Sequence, residues 1–495
     1  MRTLWQRPEP SPGPPSNPAE IADRALHRRA IETVIWGMPA VNYELMRRQM
    51  VKLGGAPNQV VFWSRPVSWK NQTLTPNPDT IYFMPFFDTR DVGPVVLEIP
   101  PADTGTIVGS IDDCWQTAIE DVGPAGADKG AGGKYLILPP NHDGGVPDGY
   151  LPCPSSTYQS YALLRSNYRS VADADIAAAV AYGKRVRVYP LSAAGDAQQS
   201  TFIDAIDTLF DAKIPYDVRF FDALNGIVQT EAWLVRDKAM IDTLKTIGIE
   251  KGLPFVPNDK TRRIFNLAAQ EAHTWLTNRL ESSYFPPPYF DGGHWHVPAS
   301  DEVLKGMMSN FADPDSYPVD NRGVTYSLAF FSAKHLGTGQ FYLMTLKDGK
   351  GNKLDGGTTY RLRVPASAPV RQYWSATAYD GKTHALMRDT PRSSRASTSA
   401  NLATNPDGSV DVFFGPTAPD GSSSNWIPTK ACNTFEVIFR FYGPDQALFD
   451  KTWKLPDIEK VPAHVRSEQE PAHVRSEQGP AHARSEQGPA HARSE

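Results

Sequence analysis

A chain of 495 residues exceeds what one hydrophobic core usually organises, so two or three domains are expected. Its 40% apolar and 21% charged residues make an ordinary globular balance, and a net charge of −5 argues against nucleic acid or an anionic membrane surface as partner. With 44 prolines and 37 glycines a turn-rich β protein is favoured over a helical bundle, and three cysteines without CxxC or CxxH spacing exclude a disulfide framework and a structural zinc.

The first segment, MRTLWQRPEPSPGPPSNP, is broken by prolines and has no apolar core, so residues 1–17 are expected to be disordered, with neither a signal peptide nor an anchor. That absence makes the expected location cytoplasmic. No apolar run reaches the ~20 residues of a membrane helix. At Pro18 the pattern turns helical. Asn17 can cap, and Ile21, Ala25, Ile31, Val34, Ile35 and Met38 recur at three- and four-residue steps until Pro39, which is expected to kink or end the helix. A strand-rich stretch follows from Val60 to about Arg165, with VVLEIP, TIVGSI and YLILPP as its clearest runs.

From Asp173 to about Ser283 the runs DIAAAVAYGKRV, FIDAIDTLF, FFDALNGIVQTEAWLV and KTRRIFNLAAQEAHTWLTNRL show helical spacing, the last capped by Asn258. PPPYFDGGHWHVP is a breaker. Strands are expected again from near Tyr326 to Trp453. After Pro462 the nonapeptide PAHVRSEQE repeats almost without large apolar residues, so 462–495 is expected to be disordered. The resulting plan is a helix plus β-sandwich unit at 18–170, a helical unit at 171–300 and a second β-sandwich unit at 320–461.

Candidate chemistry sits at four places. Asn77-Pro78-Asp79 makes a tight turn before a strand; it is either a structural Asx turn or a cleft wall, with Asp79 as acceptor and Asn77 and Tyr82 as binding groups. Asp112 and Asp121, with Asp113 and Glu120 nearby, can serve as general acid and base if burial drives their pKa values apart, or can simply end strands in solvent; Trp115 lies between them. His294 and His296 share one face of an extended HWH, half of a metal site without a third ligand, so no metal is expected.

Last, Arg392 and Arg395 follow the strand carrying Trp374, and Asn425–Trp426 follow a DGS turn. Arg can clamp a carboxylate and Trp offers a stacking face. The structural alternative pairs Arg395 and Arg440 with loop carboxylates and leaves the tryptophans in the core. Asp79, Asp112, Arg392 and Asn425 are expected to approach one shared cleft. There is no GxSxG elbow, Walker loop, HExxH or Rossmann glycine pattern, and no cofactor is expected.

Five segments in fixed order carry a family resemblance: YRLRVPASAPVRQYWSATAYD, RDTPRSSRAS, NPDGSVDVFFGPTAPDGSSSNW, FEVIFRFYGP and FDKTWKLPDIEKV. They resemble domain of unknown function 1214. Upstream, NPDTIYFMPFFDTRDVGPVVLEIPP, GSIDDCWQTAIEDVG and GGKYLILPPNHDGGVPDGY resemble its usual partner, domain of unknown function 1254. The resemblance runs from about Glu20 to Val461. It implies a multidomain α and β fold: two antiparallel β-sandwich, jelly-roll-like units with an α-helical unit between them. Relatives of this kind are often exported, which opposes the cytoplasmic expectation. The function expected is a small-molecule-handling protein, a cofactor-independent hydrolase or lyase using Asp with Arg and Tyr. The alternative is a non-catalytic binding, interaction or structural protein; homo-oligomers fit either.

Overall fold

The computed structural model describes residues 17–330, 333–335 and 339–462. The expected disordered segments, 1–17 and 462–495, lie outside these residues except for Asn17 and Pro462. Among the described residues, no helix is long and apolar enough to cross a membrane.

The first helix spans Pro18–Lys52; Asn17 accepts from the Ala19 N–H at 3.0 Å, and Pro18 takes the first helical position, where its missing N–H costs nothing. Every residue from Thr33 through Glu44 is buried. A helix apolar on all sides has to be wrapped on all sides, and three helices do so: Val218–Thr230, Asp259–Arg279 and Val319–Leu328. The helix therefore belongs to the helical layer rather than to the first sandwich alone. It also runs on through Pro39 instead of ending there. Pro39 cannot donate to the Ile35 carbonyl, and Gly323 packs so closely that a Cβ there would sit 2.9 Å from that oxygen.

A six-stranded sheet has the order Phe202–Asp204, Gln59–Phe62, Ile81–Asp88, Gln159–Ser166, Ile107–Asp113, Ala118–Val122, antiparallel except for its first pair. A four-stranded sheet, Arg187–Pro190, Val95–Ile99, Gly133–Leu138, Tyr150–Pro154, shares a core with it. Alternation along Ile81–Asp88 turns Ile81, Phe83 and Phe87 into that core and Tyr82, Met84 and Phe86 toward the helices. Both faces of the larger sheet are buried.

The later strands form two more sheets around a third core: Gln340–Thr345, Phe435–Pro444, Val370–Asp380, Ser394–Ala396, and Trp426–Pro428, Val410–Gly415, Tyr360–Val364, Glu459–Lys460. The architecture is mixed α and β, with largely antiparallel sheets, helices between the strand regions and no closed barrel among the described residues.

Three expectations shift. FIDAIDTLF holds two short edge strands, Phe202–Asp204 and Phe210–Asp211, not a helix. With Arg187–Pro190 they carry the first sheet region past residue 170. The stretch around Tyr326 is the helix Val319–Leu328, buried from Asn321 to Leu328, and strands resume only at Gln340. Strand pairing in the first two cases and burial in the third override local pattern.

Candidate functional site

The turn at Thr75–Asp79 reaches across to the later sheets. Asn77 Oδ1 accepts from the Asp79 N–H at 3.0 Å, closing the Asx turn, while its amide donates to the Tyr373 and Tyr442 hydroxyls at 3.1 and 2.9 Å. The Asn77 N–H donates to the Tyr82 hydroxyl at 2.8 Å, and the Tyr379 hydroxyl donates to the Pro76 carbonyl at 2.7 Å. Thr75 is held at φ 41°, an uncommon value for a β-branched residue; its N–H donates to the His384 carbonyl at 2.7 Å.

This clamped turn presents Asp79 to an open cleft of about 790 Å³. Trp69, Asp79 and Tyr168 line it, as do Arg392, Ser394 and Arg395. Asp79 accepts from the Ser394 hydroxyl. Burial pushes its carboxyl up to about 6, against the lowering effects of that hydrogen bond and of the Arg440 charge. Arg392 donates to the Ser423 carbonyl at 3.2 Å, and Arg395 Nε is buried without a partner. Among the described residues Arg392, Arg395 and Arg440 form no ion pair with a carboxylate, so the alternative that seats Arg395 and Arg440 on loop acids does not hold, although its placement of Trp374 in the core does.

The cleft thus joins Asp79, Arg392 and Arg395 but not the other candidates. Asp112 is fully buried on the helix-facing side of the six-stranded sheet, with both oxygens unpartnered; burial first, and then the charges of Asp121 and Asp113, push its carboxyl far up. Asp121 accepts from the Ser110 hydroxyl at 2.7 Å and from the Lys334 and His335 N–H groups. Trp115 packs against Trp36 in a tilted pair with centroids 4.7 Å apart, and Trp374 stacks on Phe439 at 5.5 Å, so both are core. Asn425 ties Ala403 and Asp411 together, and Trp426 donates to the Gly415 carbonyl at 2.8 Å. Asn77 is fully engaged in the clamp, and Tyr82 lines a different, inner cavity. The proposed four-residue cleft keeps Asp79 and Arg392 and loses Asp112 and Asn425.

His294 and His296 do line one pocket, but their Nδ1 atoms are engaged by Asp457 and the Pro286 carbonyl, each at 2.8 Å. Among the described residues no group of three His, Cys, Asp or Glu side chains is placed to hold a metal ion. Two buried arginines, Arg165 and Arg440, escaped the sequence reading as site residues. Their signal was a charge on the buried face of an apolar strand, in QSYALLRS and FEVIFRFYGP, where a cation is rare without a reason.

The fold is that of a mixed α and β protein with largely antiparallel sheets and helices between the strand regions. Residues 57–190 match the family described as protein of unknown function DUF1254, and residues 339–446 match protein of unknown function DUF1214. The chain carries both matches, DUF1254 first and DUF1214 second. Among solved structures it is similar to the VPA0106 protein from Vibrio parahaemolyticus, at 17% identity and a TM-score of 0.53 over 88% of this chain and 100% of that one. A putative uncharacterized protein from Burkholderia cenocepacia also matches, at 11% identity and a TM-score of 0.40 over 90% and 96%. The first likeness supports the fold, and the second is too weak to add to it. No curated protein matches.

Proposed function

We propose that this protein handles a small acidic or hydroxylated molecule in the Asp79 cleft and acts there as a hydrolase or lyase in catabolic or specialised metabolism. One observation carries the reading: a carboxyl titrating near 6 shares a cleft with two arginines that have no acid partner. Arg392 and Arg395 supply planar donors for a carboxylate. Asp79, basic above pH 6 and acidic below it, can take or give one proton near neutrality. Such a step needs no cofactor. The volume is that of an ordinary metabolite pocket.

The test is equilibrium binding of hydroxy acids such as malate and gluconate, followed by product analysis. Arg392→Ala is expected to weaken binding about tenfold or more while barely moving the denaturation midpoint. Asp79→Asn is expected to keep binding and lose turnover. Equal losses of binding and folding in Arg392→Ala, or no binding of any acid, would return these residues to the scaffold.

A non-catalytic interaction role draws on a different observation. Val235 is 93% exposed and Val256 81%, both in the helical region, and a partner surface would remove their apolar area from water. A jelly-roll-like winding of the sheet pairs belongs with that reading, since such modules serve in lectins and capsids. Light scattering decides it: a homo-oligomer that Val235→Asp and Val256→Asp disperse favours interaction, and a monomer removes its support.

A further inference from the structure

Behind the clamped turn lies a second cavity, of about 30 Å³, which the cleft reading does not use. Arg165 comes to it from the strand Gln159–Ser166 and Arg440 from Phe435–Pro444, so each sheet region contributes one guanidinium. Arg165 is 6% exposed and Arg440 3%. Arg440 donates to the Thr75 carbonyl at 2.9 Å and the Thr377 hydroxyl at 3.2 Å; Arg165 lies over the Tyr82 ring at 5.6 Å. The Nε atom of each is buried and finds no partner. Among the described residues neither forms an ion pair.

The acids nearest in charge are poor counterions. Asp112, whose field reaches Arg165, is driven toward its neutral form by burial, and Asp79 is bound to Ser394 and faces the cleft. Two buried cations sharing one cavity without an anion would cost several kcal/mol each after relaxation. Tyrosine faces offset only part of that, at about 2 kcal/mol each when desolvated. An anion between the guanidiniums removes the deficit.

We infer that the Arg165–Arg440 cavity is a binding site for a compact carboxylate, held by both guanidiniums beside the Tyr82 and Tyr342 rings. The size sets the class, because a cavity about two to three times the minimum for one water admits a carboxylate group and little more. That group is either a free small acid or the end of a longer one.

The test uses the full chain and carbon-13 formate, observed by NMR line broadening and by calorimetry against sodium chloride at matched ionic strength. Arg392→Ala removes the carboxylate clamp of the Asp79 cleft, and in that background saturable one-to-one binding is expected. Arg165→Lys and Arg440→Lys, added to it, keep the charge but lose the fork and are expected to weaken that binding about tenfold. Competition by acetate, butyrate and hexanoate separates the sources: steadily weaker competition means a free small acid, and undiminished competition means the end of a longer one. Absence of saturable formate binding overturns the site, as does its loss in Arg392→Ala. If a lysine variant does not fold, the Arg392→Ala result still decides.

Discussion

Asn77 donates its side-chain amide to the Tyr442 hydroxyl at 2.9 Å, across 365 residues of chain. The same amide reaches Tyr373, and the two phenols stack with centroids 4.4 Å apart. One turn therefore fastens the early sheets to the later ones and sets where Asp79 points. Asn77→Ala would leave the buried Tyr373 hydroxyl without a donor, at about 1–3 kcal/mol for an unsatisfied group, while Tyr442 keeps the Tyr342 hydroxyl at 3.2 Å. Urea unfolding is expected to show a loss of about 1–3 kcal/mol; a loss under half a kcal/mol would mean the clamp is ornamental.

Gly323 is a second point where two distant elements touch. A Cβ there would lie 2.9 Å from the Ile35 carbonyl and 3.0 Å from Ile35 Cγ2. Neither helix can move easily, since Ile35 lies in the wrapped stretch of Pro18–Lys52 and the Gly323 helix is buried on all sides. Gly323→Ala is expected to destabilise by about 1–3 kcal/mol despite its better helix propensity. A gain in the thermal midpoint would show that the helices have slack.

The sequence made the strand-rich regions and the caps at Asn17 and Asn258 legible, because alternation and capping act within a few residues. It could not show that Pro39 stays inside a helix, since the packing that holds that turn comes from Gly323, 284 residues on. The site was half legible for the same reason. Asp79 and Arg392 lie in turn segments, where polar residues have no local duty and stand out, and Arg395 sits just beyond on the three-residue strand Ser394–Ala396. Asp112 and Trp115 look alike in sequence, yet the sheet face and Trp36 bury them. Arg165 and Arg440 stand on strands, and only the facing elements show that those side chains are buried.

The repeat that begins at Pro462 is almost without large apolar residues, and the compact unit before it ends at Val461. Truncation after Val461 is expected to leave the thermal midpoint within about 1–2 °C. The strand Glu459–Lys460 is kept, so its pairing with Tyr360–Val364 survives. A fall of several degrees would assign the repeat a structural role.

Asp79 and Glu231 both release their protons late. Burial lifts Asp79 from an ordinary 3.8 to about 6, and Glu231 from 4.5 to about 7 even though Glu231 accepts from the Tyr158 and Gln159 N–H groups at 2.7 and 3.1 Å. A group whose folded pKa exceeds its unfolded one binds its proton more tightly in the folded state. Its stabilising effect is complete below the unfolded pKa and is lost as pH rises through the folded one. Stability should therefore decline between about pH 4 and 7 on account of these two. Other groups titrate as well: exposed Asp103 acts oppositely at lower pH, and buried Asp112 adds a decline of its own. Comparing each variant with wild type cancels those contributions. Asp79→Asn is expected to gain stability relative to wild type from pH 4 upward, levelling above about 6, and Glu231→Gln to level only above about 7. Urea titrations at half-unit steps measure both differences. A difference that stays constant from pH 4 to 8 would mean that Asp79 is an ordinary surface carboxylate and has no special standing in the cleft.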